Sequence, residues 1–312
     1  MKNLIIRNAR MMTACGLVAM ATIASACNIP VFRYALERWR SDAYEVVVTH
    51  GGTLTPQQTA FVSELEAASQ TTNLTVEIKH DAATSQPNVA VRLAMPTGRT
   101  VSHWRGSIEE AVEARLLDSP ARQELMKRLL AGDSVVWLLI KTDDEAQDRA
   151  ANSDLAAALT SLGGQIELPQ GIGEPGSELH SEVPLLVKFS VLEIEAADAK
   201  EAFLVRWLSG FRPQSLASGE PLLVPVFGRG RALEVIPAGE LTPTLIEDLT
   251  RFLSGACSCQ VKEQNPGFDL LLTADWDYQL FGDSGLQPPP AKTVGDRDQT
   301  PRTLTIPPGK RK

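Results

Sequence analysis

The chain has 312 residues, is 43% hydrophobic and 22% charged, and carries a formal net charge of -8, a composition of ordinary globular material long enough for two domains. Lys2, Arg7 and Arg10 sit in the first ten residues, and the tail from Gly285 carries six basic against two acidic residues, so residues 27–284 hold a net charge near -15. A body that acidic argues against nucleic acid as a partner, because phosphates need a basic surface.

Residues 1–26 read as an export signal. A basic start is followed by an uncharged apolar run over residues 11–26 that ends Ala24-Ser25-Ala26-Cys27. Small residues before a cysteine resemble the lipobox of bacterial lipoproteins, which implies cleavage at Cys27 and its lipidation. Ala24 stands where that motif usually carries leucine. Simple cleavage after Ala26 and an uncleaved anchor interrupted at Pro30 therefore stay open. All three routes export the body, which is expected to face the periplasm or the cell exterior.

Residues 27–42 then read as a tether helix. Val31, Phe32, Ala35, Leu36 and Trp39 share one face, expected to pack on the first domain. In residues 43–132, EVVVT is a strand, Thr55-Pro56-Gln57-Gln58 opens a helix to about residue 69, and residues 74–78 form a second strand. Residues 87–117 add a hairpin turning at Met95-Pro96-Thr97-Gly98, then a helix opened by Ser107 and Glu110 with Ile108, Val112 and Leu116 inward. Ser119-Pro120 starts another helix. Residues 133–284 repeat the pattern with longer connections: the buried strand VVWLLI, an alanine-rich helix over 144–162, a glycine and proline loop, a strand-like stretch at 183–194, and a helix burying Phe203, Leu204, Trp207 and Leu208. Residues 221–253 close it as strand, Gly228-Arg229-Gly230 turn, strand, and a helix capped by Thr242-Pro243. Residues 285–312, rich in proline and basic at the end, read as a disordered tail.

A proline (Pro87, Pro221) directly before a hairpin that leads into a helix resembles the last third of the thioredoxin fold, in which that proline is cis. Preceded by strand, helix and strand, the unit has the thioredoxin order. The resemblance implies an α/β chain of two tandem thioredoxin-like domains, each a mixed sheet flanked by helices. Where thioredoxins carry Cys-x-x-Cys after the first strand, this chain reads His50-Gly51-Gly52-Thr53 and Thr142-Asp143-Asp144-Glu145, so dithiol exchange is not expected there.

Cys257-Ser258-Cys259 follows the last long helix. Two thiols one residue apart can ligate a soft ion such as Cu(I) or form a strained disulfide, so Cys257 and Cys259 are the candidate redox or metal residues. Gly171-Ile172-Gly173-Glu174-Pro175-Gly176 matches a dinucleotide fingerprint by letter only, with Pro169 before it and Pro175 inside it. Gly282-Asp283-Ser284-Gly285 resembles hydrolase serine blocks but runs into the tail, and the four histidines lack a triad context. Asp275-Trp276-Asp277 reads as helix capping, and Arg229 and Arg231 as an exposed turn.

The block from Cys27 to Trp39, the block Cys257-Ser258-Cys259-Gln260-Val261-Lys262-Glu263 with Asn265-Pro266-Gly267, and PVFGRGRAL between them resemble an uncharacterised family of planctomycete-type envelope proteins. That resemblance implies no activity. The expectation is a membrane-anchored, non-catalytic lipoprotein that binds a protein partner, with no catalytic residue and no cofactor. The alternative is a redox or copper-handling protein using Cys257 and Cys259.

Overall fold

The computed structural model describes residues 27–94, 100–258 and 261–284. The expected export signal at 1–26, the expected turn at 95–98, Cys259 and the proline-rich tail lie outside them. In chain order the elements are α1 (Val31–Arg38), β1 (Tyr44–His50), α2 (Pro56–Ser69), β2 (Leu74–His80), β3 (Asn88–Ala94), β4 (Thr100–Ser107), α3 (Ile108–Glu113), α4 (Pro120–Leu130), β5 (Val135–Lys141), α5 (Glu145–Gly163), β6 (Phe189–Glu195), α6 (Ala202–Ser209), β7 (Leu222–Phe227), β8 (Arg231–Ala232), β9 (Ile236–Pro237), α7 (Pro243–Ser254), β10 (Phe268–Asp269) and α8 (Trp276–Phe281), with short 3-10 turns between some of them.

Local chemistry sets the helix starts. Thr55 and Gln58 form a reciprocal capping box at α2, and Ser107 and Glu110 form another at α3. Ser119, Asp144, Thr242 and Asp275 each accept a backbone N–H at the starts of α4, α5, α7 and α8. One inward residue was misplaced by periodicity: Val112 is 52% exposed, and Ala111 is buried instead. α3 stops at Glu113, and Arg115, at φ 56, turns the chain so that Leu116 returns to the core by another route.

The strands make two mixed sheets flanked by helices, an α/β architecture. The first has the order β2-β1-β3-β4 and the second β10-β8-β7-β5-β6, with β9 also on β7. In each, the first pair (β1 with β2, β5 with β6) is parallel and the following strands are antiparallel. The described residues contain no cis peptide, so Pro87 and Pro221 are trans, against the expectation carried by the resemblance. Strand β6 begins only at Phe189; the Ser134 hydroxyl bonds the Leu186 carbonyl and holds the preceding residues out of the ladder.

The return strand of the second hairpin is broken into β8 and β9. Val226 faces Ala232 but Leu223 faces Ile236, a slip of one residue. Pro225 lies at the break, where its carbonyl accepts from Leu233 N. A strand residue points N–H and C=O to the same neighbour, so the donor that proline lacks is missing on the side where the ladder slips.

Strand β5 explains the layering. Val136, Leu138 and Ile140 belong to an apolar cluster that runs through Phe203 and Trp207 of α6 to Tyr44, Val46 and Val48 on the inner face of the first sheet. Val135, Trp137 and Leu139 face the other way, into a cluster with α1, α5 and α7. Buried on both sides, β5 reads as a continuous apolar run. The two sheets thus share one core. Helix α1 is not a tether on the first unit: it packs on β7 and α7 of the second, because its apolar residues fill the outer cluster. Two of its three charges are buried, with Arg33 bonded to Glu37 at 2.8 Å and to the carbonyls of Ser181 and Val183.

The Gly228-Arg229-Gly230 turn is also not exposed. A Cβ on Gly228 would meet Ala35 at 2.7 Å, and one on Gly230 would meet Leu272 at 2.4 Å, so the turn is wedged between α1 and the chain near residue 272. Both arginines therefore point inward. Arg229 donates to the Leu36 carbonyl and to Asp277, each at 2.8 Å. Arg231 pairs with Asp269 at 3.2 Å and donates to the carbonyls of Asn265, Pro266 and Gly267. Lys262 completes this cluster, bonding Asp269 as well as Asp42 at 2.7 Å, and the Tyr44 hydroxyl donates to the Asp269 carbonyl at 2.6 Å. Burial raises the Asp42 carboxyl, with Asp269 adding to the effect, and holds the Tyr44 phenol well above its ordinary range.

Removing one partner of such a buried set strands the others without compensation. In Asp269→Ala protein, urea unfolding should report a loss of about 3–5 kcal/mol, and a loss below about 1 kcal/mol would show that the cluster does not join the segments it touches.

Candidate functional site

Two of the cysteines expected to carry chemistry, Cys27 and Cys257, sit in a folded strap. Residues 29–31 run antiparallel to residues 255–257: Val31 N donates to Gly255 O at 3.0 Å and Cys257 N to Ile29 O at 2.9 Å, with Pro30 opposite Ala256. Asn28 N donates to the Ser177 hydroxyl at 3.0 Å, which ties the start of the strap to the glycine loop. Cys27 is 6% exposed and Cys257 3%, and both belong to the outer apolar cluster beside Ile29. Their burial follows from the strap, which turns alternate residues toward α1 and α7. Among the described residues there is no group of three or more His, Cys, Asp or Glu side chains arranged to hold a metal ion. The other half of the Cys-x-Cys pair, Cys259, lies outside those residues.

In an open α/β sheet the natural site is the crevice beyond the carboxyl ends of the parallel strands. The second sheet presents Lys141, Thr142, Asp143 and Glu145 there, around a cleft of about 370 Å³ that Asp148, Arg149, Glu193 and Glu195 also line. Most of these groups serve each other. Lys141 pairs with Glu195 at 2.7 Å and Glu193 at 3.3 Å, and Arg149 with Glu145 at 3.2 Å. Asp144 caps α5, and Asp148 accepts from Thr142 N and its hydroxyl. Hydrogen bonds to Gln147 and the first turn of α5 hold the Asp144 carboxyl below its usual range.

The first sheet presents a different set. Strands β1 and β2 pair in parallel from Tyr44 with Leu74 to His50 with His80, so the sheet face that begins with the buried Val46 and Val48 and the half-buried Val76 comes out at the exposed Ile78 and ends in two neighbouring imidazoles. Their ring centres are 5.5 Å apart at an interplanar angle of 90°. His50 Nδ1 lies 2.7 Å from the Gly52 carbonyl oxygen. A carbonyl only accepts, so Nδ1 carries the proton and the neutral ring keeps its lone pair on Nε2.

The four histidines have no triad context in the sequence, and it is the strand register that brings His50 and His80 together. The signal was available: each of two strands in a β-α-β unit ends in histidine, and an in-phase parallel register makes them neighbours. His180 stays apart from the pair; its backbone N–H bonds Glu37 at 3.0 Å in the loop over α1. The glycine-rich hexapeptide at 171–176 forms turns, with Gly173 N bonded to Ser177 O. Asp275 caps α8, as expected.

Burial makes a prediction about the thiols. Alkylation followed by peptide mapping should leave Cys257 unmodified in the folded protein and label it in urea with reductant; rapid labelling of the folded protein would place it at the surface. No protein-family model matches the chain, and no curated protein or solved structure matches it at a significant level.

Proposed function

We propose that the protein is an exported, membrane-anchored binding module of two tandem thioredoxin-like domains that holds a protein partner and performs no catalysis itself. The observation that carries this reading is the common plan of the sheets: β2-β1-β3-β4 and β6-β5-β7-β8, with matching strand directions. The step from that plan to a binding role is an analogy at the level of the fold. Supporting it, the polar groups at the carboxyl edge of the second sheet are largely engaged in caps and ion pairs. The outward side of the first sheet carries Glu45 with Arg92 and Glu77 with Lys79, a polar surface of the kind that rims transient interfaces.

The anchor in this reading is lipidated Cys27, whose side chain leaves the outer apolar cluster to carry the lipid. Because Ile29 and the next residues are built into the second unit, a lipid at Cys27 would leave no slack between bilayer and fold. The second unit would lie against the membrane and the first would project from it.

Crosslinking in native envelopes tests the reading: the same partner should be recovered reproducibly, while Cys27→Ser should move the protein to the soluble fraction. Recovery of no partner would overturn the binding role. Stoichiometric Cu(I) held by two protected thiols would replace it with copper handling by Cys257 and Cys259.

A further inference from the structure

The geometry points to a divalent transition-metal site at the carboxyl edge of the first sheet, formed by His50 and His80; this goes beyond the binding role and does not depend on it. Imidazole suits Cu(II), Ni(II) and Zn(II). With a metal–nitrogen distance of about 2.0–2.1 Å, each ring centre stands about 3.2 Å from the ion, so two rings on one tetrahedral ion lie roughly 5.2 Å apart. The observed separation is 5.5 Å. The spacing is close to what one shared ion requires; the rings stand edge to face, so the exposed His80 ring would turn to bring its nitrogen onto the ion.

The pair stands at the solvent-accessible end of the strands, with His80 exposed and His50 partly so, but the backbone that carries it is fixed. The Gly52 carbonyl orients His50 and fixes its tautomer, the service that an outer hydrogen-bond partner gives a ligating histidine. Behind the rings, the turns that follow the two strands are locked together. Asp81 N donates to the His50 carbonyl at 2.9 Å, and Thr84 N donates to the Asp81 carbonyl at 2.8 Å. The Asp81 carboxylate accepts from Ala83 N at 3.0 Å and from the Thr84 hydroxyl at 3.1 Å. Gly51 fits between them only because it lacks a side chain: a Cβ there would meet Thr84 O at 2.2 Å and Asp81 O at 2.7 Å. Asp81 is spent on its own turn, so the protein supplies two ligands and water fills the remaining positions. An ion held this way is open to solvent on one side and exchangeable.

The test uses the full chain without an affinity tag, titrated with Ni(II) and Cu(II) by calorimetry, with electron paramagnetic resonance of the copper form. One ion per chain is expected, with nitrogen hyperfine structure from two imidazoles. His50→Ala or His80→Ala should weaken binding at least tenfold and reduce the nitrogen count, while His180→Ala should leave both unchanged. Gly51→Ala should weaken binding with both ligands retained, because the backbone that positions them must move. Binding that survives the double His50→Ala, His80→Ala change, or no binding above that of the double variant, would overturn the proposal. Failure here leaves the partner-binding reading standing, and failure to find a partner leaves this site standing.

Discussion

The fold depends on satisfying charges that have been taken out of water. Asp42, Arg231, Lys262 and Asp269 come from four separate stretches of chain and meet at one nearly buried spot between the sheets. None can be left there alone, because an isolated ion in the interior costs far more than any single packing contact returns. The approach to β1, the second hairpin, the turn at Lys262 and the short strand β10 must therefore assemble together. Hydrophobic burial supplies most of the driving force for such a core. It does not say which segments meet, and the charge cluster does.

Buried arginines extend the same logic. Arg122 spreads its guanidinium over the carbonyls of Leu116, Leu117 and Leu271, and burial lowers it to about 10, still protonated at neutral pH. Arg229 caps the carbonyls that end α1, and Arg33 holds those of the loop at 181–183. A planar fork with five donors is suited to collecting carbonyls that no regular ladder reaches. In each case the arginine joins two segments whose hydrogen bonding would otherwise end in an apolar surrounding.

What was legible in the sequence was what neighbours along the chain decide. Caps at Thr55, Ser107, Thr242 and Asp275 and the apolar run of β5 were readable because a cap or a strand is specified within a few residues. The inward turn of Arg229 and Arg231 was not, since arginine between glycines is ordinarily a surface turn and only the wedge of Ala35 and Leu272 makes it otherwise. The seat of α1 was unreadable for the same reason: its amphipathic pattern says that one face is covered, not by which sheet. Of the candidate site, the position after β1 was readable, but the partnership of His50 with His80 needed the register. The burial of Cys27 and Cys257 needed the strap.

The strap and α1 carry a consequence for how the chain reaches this state. Ribosomes release the N-terminus first, yet the carbonyl of Leu36 waits for Arg229, 193 residues later, and Ile29 waits for Cys257. The first helix among the described residues is thus among the last to dock, and until then its apolar face is without its partner. Contacts of such separation form slowly and leave an exposed surface in the meantime. The first sheet, whose strands are close in sequence, can form its own hairpin and crossover while the second is incomplete. Assembly would then proceed inward from residue 44, with the N-terminal segment closing the structure as its final step.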